Sequence, residues 1–284
     1  MPESPNMPAR ARTGLKTFGP TGWIGVAVVT IMFAACLLTL PYTLGRVPGA
    51  TDAEAPGARP ARYEAMNLEE ALQPPSLRPV TAEGVPDPAG SQHLLGTDRL
   101  GRDLFIRCLA GGGISLSIGL AAALVAVFIG TVYGTVSGYS GGRVDAAMMR
   151  VVDILFGLPN ILLVVLLAVA VDGLVERRGV VISPAVKQLI NVLTLLIAIG
   201  GVTWLTMARV IRGQVLSLKQ QPFMEACRAT GVSLPRQFFV HLLPNLLGPI
   251  IVYATLTVPN AILTESFLSF LGIGVREPLP SWGN

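Results

Sequence analysis

Five long windows of the chain contain no Asp, Glu, Lys or Arg, and these windows predict its membrane-spanning helices. They cover residues 17–45, 108–142, 154–171, 188–208 and 237–264. A charge at the centre of a bilayer costs roughly 2.5–3.5 kcal/mol, and a helix needs about 20 apolar residues to cross. The third window is short, so we expect its helix to begin earlier, near Ala146. The pattern predicts an all-α, polytopic helical membrane protein with five spans.

The amino-acid composition agrees with this class of protein. Apolar residues make up 51% of the chain and charged residues 13%, whereas a soluble domain carries about 25% charged residues. The three cysteines, Cys36, Cys108 and Cys227, are widely spaced and show neither a disulfide framework nor metal-ligand spacing. The net charge of +4 is spread along the chain, which suits cytosolic loops beside anionic lipid better than nucleic-acid binding.

The distribution of basic residues predicts the orientation in the membrane. The tail before the first window and the connection after the fourth are both basic, and basic loops face the cytoplasm. We therefore expect a cytosolic N-terminal tail at residues 1–18, a first transmembrane helix at 19–45 and an external segment at 46–110. The first window resembles a signal peptide, but its apolar run is too long and no small-x-small cleavage site ends it. These features favour an uncleaved anchor.

The predicted external segment ends in a stretch that is dense in glycine and charge, residues 93–103. Gly96 permits a tight turn there, and Thr97 or Asp98 can cap a helix that begins at Arg99. Further upstream, residues 63–73 have the pattern of one short helix. From these residues alone, the stretch is interpreted as the capped entrance to the second span.

Glycines and prolines occupy particular places in the apolar windows. Gly130, Gly134 and Gly138 share one face of the second span, and small residues let helix backbones approach closely in lipid. That face either packs within one bundle or contacts a second membrane subunit, and the sequence does not separate the two. Pro159 in the third span removes a backbone donor, as do the prolines of the fifth. Broken helices of this kind occur in transporters.

The connection between the fourth and fifth spans, residues 209–243, has the pattern of two short helices. Residues 223–229 predict the first helix, which Gly231 ends, and a second helix is expected to start near Ser233. We expect the fifth span to begin after Pro244.

The first short helix of this connection carries apolar side chains at near-helical spacing, namely Phe223, Met224 and Cys227. Glu225 and Arg228 fall on its other faces. The pattern predicts a helix-Gly-helix element that lies along the membrane surface and projects as a docking element for a cytosolic partner. The alternative is an interfacial amphipathic loop that has no partner.

Four motifs resemble those of ATP-binding-cassette (ABC) importer permeases. The EAA loop of that family has the pattern EAA-x3-G-x9-I-x-LP. This chain matches it, with Cys227 in place of the second Ala and His241 in place of Ile. The sequence His-Leu-Leu-Pro-Asn that begins at His241 is similar to the H-I-L-P-N of the peptide-permease subfamily. The other motifs are LGTD-x-x-GRD before the second span, SFLSFLG and PSWGN. The matched loop residues are Glu225, Ala226, Cys227, Gly231, His241, Leu243, Pro244 and Asn245. The matched residues of the external motif are Gly96, Thr97, Asp98, Gly101, Arg102 and Asp103.

By this resemblance the chain is identified as a C-type permease subunit of a dipeptide/oligopeptide ABC importer, with the type I permease fold. The resemblance implies a permease domain at residues 111–284, in which the 209–243 loop couples to ATPases. It implies a heterodimer with a second permease, two cytosolic ATPases that bind ATP, and an external solute-binding protein, in a bacterial inner membrane. It implies no cofactor on this chain. Because the family has a further span after PSWGN, it also implies truncation after Asn284 and loss of a sixth span.

Two other classes of protein fit the sequence less well. An enzyme is disfavoured because the two histidines are predicted on opposite sides of the membrane, and a Gly-x4-Gly-Lys-Ser/Thr phosphate loop is missing from the sequence. An ion-coupled secondary transporter would show inverted repeats and charges within the spans. Glu265, near the outer end of the fifth span, either reaches the outer surface or lines the translocation path. Within the family, nickel complexes and glutathione are alternative substrates to peptides.

Overall fold

The computed structural model describes residues 20–46, 60–79, 85, 92–176 and 184–284. The predicted cytosolic tail, residues 1–18, lies outside these ranges. The described residues form helices and no β-strand apart from two isolated bridges, so the predicted all-α class is confirmed. The helices are α1 (Pro20–Thr43), α2 (Leu104–Ser140), α3 (Gly142–Phe156), α4 (Asn160–Glu176), α5 (Pro184–Lys219), α6 (Pro222–Ala229), α7 (Leu234–Arg236) and α8 (Leu243–Phe270). A π-helical segment, Gln237–Leu242, joins α7 to α8.

The described part of the chain contains four helices that are long and apolar enough to cross a membrane. They are Trp23–Thr43, Leu104–Ser140, Val186–Lys219 and Leu234–Phe270. They coincide with the first, second, fourth and fifth charge-free windows. A fifth span results if α3 and α4 together count as one. The chain is therefore a multi-pass membrane protein, as the windows predict.

The third predicted span is broken. α3 and α4 meet at an angle of 88°, and Gly157, Leu158 and Pro159 separate them. Proline lacks the N–H that would continue the helix, and it disfavours helical geometry in the residue before it. The expectation of one helix beginning near Ala146 is therefore wrong, while the effect expected of Pro159 is confirmed.

The glycine face of α2 packs against α5 of the same chain. A Cβ placed on Gly130 would meet the side chain of Met207, and one on Gly134 would collide with the carbonyl oxygen of Ala208. A Cβ on Gly138 would lie 2.9 Å from the carbonyl oxygen of Arg212. Contacts therefore progress in the same direction along both helices, which run parallel. Of the two interpretations of this face, packing within one bundle is the correct one.

A second run of glycines, residues 111–113, packs against two other parts of the chain. A Cβ on Gly112 would lie 2.6 Å from the Cys36 sulfur of α1 and 2.7 Å from the ring of Trp282. The Trp282 indole Nε1–H donates to the Cys108 carbonyl oxygen at 3.2 Å. Because these three glycines of α2 have no side chains, α1 and the segment after α8 can approach the backbone of α2 closely.

Several helix ends differ from the sequence-based expectations. α5 continues to Lys219, and α7, the π-helical segment and α8 form one continuous helical stretch from Leu234 to Phe270. The second short helix near Ser233 is therefore not a separate element, and the fifth span does not begin after Pro244. The π-helical hydrogen bond from Leu243 N–H to the Phe238 carbonyl widens the helix just before Pro244, where a proline ring would clash with an α-helical turn.

The segment predicted to be external has less helix than expected. Within residues 63–73 the structure contains only the 3₁₀ turn Leu68–Glu70, so the short helix predicted there is wrong. The helix predicted to begin at Arg99 begins instead at Leu104, and its cap is the side chain of Asp103. The first turns of α2 consequently lie within the 46–110 range that the sequence places in the external segment.

Candidate functional site

The candidate coupling element is residues 220–233, which link α5 to α7 and include α6. Its helix turns two apolar side chains toward the chain's own interior, where Met224 is fully buried and Cys227 nearly so. Met224 packs in a cluster with Met207, Ile211 and Leu242. These two side chains therefore anchor α6 to the bundle, and the predicted docking of this element on a cytosolic partner stays a prediction.

The outward face of α6 is formed by the remaining matched residues. Glu225 and Ala226 are exposed, as are Phe223 and Arg228. Glu225 lies in the first turn, where a carboxylate interacts favourably with the helix dipole. Arg228 donates from Nη2 to the Lys219 carbonyl oxygen at 3.1 Å, which closes the element onto the end of α5.

Gly231 ends α6 in the way that the sequence predicts. It adopts φ +69°, a left-handed conformation that glycine accepts without strain. The Gly231 N–H donates to the Arg228 carbonyl at 3.1 Å, and the Val232 N–H donates to the Cys227 carbonyl at 3.0 Å. These two bonds make a Schellman motif, which reverses the chain sharply.

The second half of the predicted EAA loop lies on the helix that leads into α8. His241 and Leu243 are half-buried, and Pro244 and Asn245 are exposed. The Asn245 amide Nδ2 donates to the His241 carbonyl oxygen at 2.6 Å. The structure therefore places these four residues along the π-helical segment and the first turn of α8, apart from the exposed face of α6.

A chain of polar contacts that sequence reasoning missed ties the coupling element to α2. The Lys219 ammonium donates to the Tyr139 carbonyl at 2.6 Å, and the Tyr139 hydroxyl donates to Gln237 Oε1 at 2.6 Å. Gln237 is buried, and its Nε2 donates to the Val232 carbonyl at 2.6 Å. The only sequence signal was a lone amide at the edge of an apolar window.

Near this end of the bundle, α3 is fastened to α5 by a bidentate ion pair. Arg212 donates from Nε and Nη2 to the two carboxylate oxygens of Asp145, each at 2.5 Å. The Ser137 hydroxyl of α2 donates to Asp145 Oδ1 at 2.5 Å. Asp145 is 7% exposed, so its carboxylate is satisfied entirely by protein groups from two neighbouring helices.

The external motif folds into one compact loop around the carboxylate of Asp98. Its Oδ1 accepts from the Leu100 and Arg102 N–H groups at 2.8 and 2.9 Å, and its Oδ2 accepts from Arg102 Nε at 2.6 Å. Burial raises the pKa of Asp98, but the hydrogen bonds from Arg102 and Leu100 outweigh that effect, and the pKa is lowered. Gly96 and Gly101 adopt φ +78° and +71°, so both motif glycines occupy left-handed positions.

The remaining motif residues connect this loop to its surroundings. Asp103 accepts from the Phe105 and Ile106 N–H groups, which caps α2, and its other oxygen lies 2.8 Å from His93 Nδ1. The Thr97 hydroxyl accepts from the Gln73 N–H at 2.8 Å. The prediction that Thr97 or Asp98 caps the helix is thus wrong, because Thr97 binds the backbone of the upstream segment at Gln73 and Asp98 binds the backbone and side chain of the loop itself.

The segment after α8 folds back beside the external loop. Glu277 Oε1 lies 3.3 Å from Arg102 Nη2 and 3.6 Å from Arg107 Nη2. The Asn284 Nδ2 donates to the Val275 carbonyl oxygen at 3.0 Å, and the Trp282 N–H donates to the Ser115 hydroxyl at 3.2 Å. Residues of the PSWGN motif therefore pack against α2 and close this end of the bundle.

Glu265 of α8 is fully buried. Its Oε1 accepts from the Ser269 hydroxyl at 2.6 Å, and that hydroxyl in turn accepts from the Val275 N–H at 2.9 Å. The interpretation in which Glu265 reaches the outer surface is therefore wrong. The proposal that it lines a translocation path stays a prediction, since in this conformation the carboxylate holds the segment after α8.

A cavity of about 550 Å³ lies between α4, α5 and α8. Its described lining contains aliphatic side chains and no charged residue. Its opening is at the surface of the chain, because Asn160, Leu256 and Asn260 are exposed lining residues. The lining residues with a hydroxyl or amide side chain are Asn160, Thr203, Thr206, Tyr253, Thr257, Asn260 and Thr264. In the sequence these residues are marked only as isolated polar positions in apolar windows.

Comparison with known proteins identifies relatives over most of the chain. The oligopeptide transport system permease protein OppC of Bacillus subtilis (strain 168) is 42% identical over 221 residues, 78% of this chain and 62% of the relative. OppC of Escherichia coli (strain K12) is 49% identical over 193 residues, covering 68% of this chain and 58% of the relative. The dipeptide transport system permease protein DppC of Bacillus subtilis (strain 168) is 44% identical over 196 residues, covering 69% and 56%.

The matches to these relatives span less than two thirds of the relatives' own length. They confirm the resemblance to C-type permease subunits that the four sequence motifs carry. Residues 126–284 match a family described as binding-protein-dependent transport system inner membrane component. This range contains α3 to α8, and with them the coupling element and the residues that line the cavity. The chain belongs to this family of inner membrane transport components.

Proposed function

We propose that the chain is the permease subunit of an ATP-driven ABC importer of peptides, and that it forms half of the translocation path. The observation that carries the proposal is the arrangement of α6 in the coupling element. The buried side chains of Met224 and Cys227 anchor this helix to the bundle, while Glu225 and Ala226 are exposed on its outer face. The named peptide permeases that the chain resembles support peptides as the substrate class. The remaining subunits are a second permease, two ATPases and an external solute-binding protein.

In this proposal the coupling element transmits motion from the ATPases to the membrane helices. Its contacts suit that task, because its Val232 carbonyl accepts from Gln237 and Gln237 accepts from Tyr139 at the end of α2, both at 2.6 Å. Closure of the ATPases on ATP would move α6, and these bonds would carry the displacement into α2 and α8. ATP hydrolysis itself takes place on the partner subunits.

Gly231→Val should uncouple ATP hydrolysis from uptake. A residue with a Cβ in the left-handed region costs about 1–2 kcal/mol, so the turn after α6 relaxes and the helix presents its outer face at a different angle. We expect uptake by reconstituted complexes to fall about tenfold, a factor that corresponds to roughly 1.4 kcal/mol. Gly231→Asn is the matched control, because asparagine tolerates this conformation far better.

Glu225→Lys tests the outer face of α6 itself. Charge reversal should weaken either the interaction with the helix dipole or a contact with a basic group of the ATPase. A compensating charge change on the ATPase restores uptake only in the second case. Uptake and ATPase rate are measured together, with assembly checked by co-purification. Normal uptake by both Gly231→Val and Glu225→Lys would refute the coupling role.

The orientation of the chain is open to a direct labelling experiment. We expect the coupling element on the cytosolic side and the external loop of residues 92–103 on the other, because the connection around α6 is rich in Arg and Lys. Thr230 is exposed, so in a protein whose own exposed Cys108 is replaced by serine, Thr230→Cys should react with an impermeant thiol reagent in inverted vesicles and not in intact cells. Labelling of this position in intact cells would contradict the proposed orientation.

A further inference from the structure

The cavity between α4, α5 and α8 has a hydrogen-bonding character that its composition alone does not reveal. Its volume of about 550 Å³ falls within the range of roughly 300–1,000 Å³ that is typical of ligand sites. The described side chains that line it are aliphatic, hydroxyl, amide and one phenol. None of them carries a charge at neutral pH, so recognition there depends on hydrogen bonds and shape.

Three threonine hydroxyls of the lining donate their only proton within their own helix. Thr203 donates to the Ile199 carbonyl at 2.9 Å, Thr257 to the Tyr253 carbonyl at 2.7 Å and Thr264 to the Asn260 carbonyl at 2.8 Å. A carbonyl oxygen can only accept, so in each pair the hydroxyl must be the donor. What each hydroxyl can still offer to a ligand is a lone pair. Three positions on two facing helices are therefore hydrogen-bond acceptors.

The Asn260 amide is partly committed in the same direction. Its Nδ2 donates one of its two protons to the Leu256 carbonyl at 3.1 Å, which orients the amide. The side chain can then still offer a ligand the Oδ1 as an acceptor and one N–H as a donor. Thr203, Thr257, Thr264 and Asn260 together thus offer more acceptors than donors to a ligand. A ligand group that enters with N–H bonds finds acceptors at these positions, whereas a carboxylate finds no positive side chain among the described lining residues.

We propose that this cavity is the wall of the path that holds the peptide by its backbone N–H groups, and that Thr203 and Thr257 are the accepting residues. The inference rests on the proposed peptide transport and adds to it the chemistry of recognition. An extended peptide carries one amide N–H per residue whatever its side chains are. An acceptor-rich, uncharged wall therefore accepts peptides of different sequence.

Thr257→Val tests the proposal, and Thr255→Val is the matched control. Both threonines lie on α8, and both hydroxyls donate within their own helix, Thr255 to the Val252 carbonyl at 2.8 Å. Only Thr257 lines the cavity, so any general cost of replacing the hydroxyl is shared by the two variants. In complexes reconstituted with the solute-binding protein and ATPases, we expect Thr257→Val to raise the KM for a neutral tripeptide about fivefold, the value of one ordinary hydrogen bond. Thr255→Val should leave KM within about twofold.

An ester analogue of the same tripeptide separates hydrogen bonding from shape. Each of its two peptide bonds is replaced in turn by an ester, which deletes one N–H and keeps the length of the chain. For one of the two analogues, the fivefold difference between unmodified protein and Thr257→Val should disappear, because the bond that valine removes is already missing. The ratio between variants cancels any preference of the solute-binding protein for peptide over ester.

The possible failures of this experiment point to different conclusions. If the unmodified complex takes up no peptide, the proposed function is wrong. If it takes up peptides but Thr257→Val and Thr203→Val behave like Thr255→Val, only the assignment of the cavity is wrong. If Thr257→Val weakens uptake of the peptide and of both esters equally, the residue acts through shape, and the acceptor chemistry is refuted.

Discussion

Asp145→Ala should destabilise the folded chain by about 3 kcal/mol, because it removes the bidentate partner of Arg212 and leaves that guanidinium against the bundle. The Asp145 carboxylate is enclosed, with its oxygens satisfied by Arg212 and by the Ser137 hydroxyl. The side chain of Arg212 is 33% exposed, so water compensates part of the loss. The expectation therefore lies at the low end of the range for broken buried ion pairs, about 3–5 kcal/mol.

Asp153→Ala is the natural control for this substitution, since it breaks the neighbouring ion pair on the same helix. Arg209 Nη2 lies 2.8 Å from Asp153 Oδ1, but the two side chains are 38% and 57% exposed. Exposed pairs contribute about 0–1 kcal/mol. Thermal unfolding of the purified protein in detergent measures both variants. Equal shifts in the unfolding temperature would show that enclosure of Asp145 does not matter, contrary to our expectation.

Gly134→Ala should also be strongly destabilising, although alanine is the better helix former. A Cβ at Gly134 would collide with the Ala208 carbonyl and lie 3.0 Å from the Arg212 backbone nitrogen. Because both neighbours are backbone atoms, no side-chain rotation can relieve the contact, and α2 and α5 must separate. We expect a loss of about 2–3 kcal/mol, within the range for overpacked cores.

Gly213→Ala makes the same chemical change on the partner helix without the collision. Gly213 of α5 is exposed, and a Cβ there meets nothing within 4 Å. Alanine should therefore be neutral or stabilising by up to about 1 kcal/mol through helix propensity. The fraction of monodisperse protein after extraction and its unfolding temperature distinguish the variants. A Gly134→Ala protein as stable as Gly213→Ala would mean that α2 and α5 are not in the close contact described.

The spans were predictable because lipid tolerates no uncompensated charge, so their apolar interiors stand out in the sequence. Their ends were not predictable in the same way. α5 continues past the last uncharged residue of its window, Ala208, to Lys219, since a helix that has left the hydrocarbon can carry Arg and Lys freely. The charge-free window therefore marks the membrane-embedded part of a helix rather than its length.

The turn at Gly231 and the break at Pro159 were predictable for a local reason. Each depends on the backbone of one residue, through a left-handed φ of +69° in the first case and a missing N–H in the second. The cap of α2 was mispredicted because Thr97, Asp98 and Asp103 are all good caps within a few residues of one another. The choice among them depends on Arg102, which binds Asp98, and this contact forms only in the folded loop.

The amino-acid sequence alone established the class of protein, the number of apolar windows and the family motifs, because hydrophobicity and local backbone chemistry act over a few residues at a time. Whether each side chain points into the bundle or away from it was decided by the tertiary structure. Helical spacing placed Met224 and Cys227 on one face of α6, yet only packing in the folded chain, where Met224 joins a cluster with Ile211 and Leu242, turned that face inward. The same holds for the glycine face of α2 and for the polar cavity, since what lies opposite a residue is set by helices that are distant in the sequence.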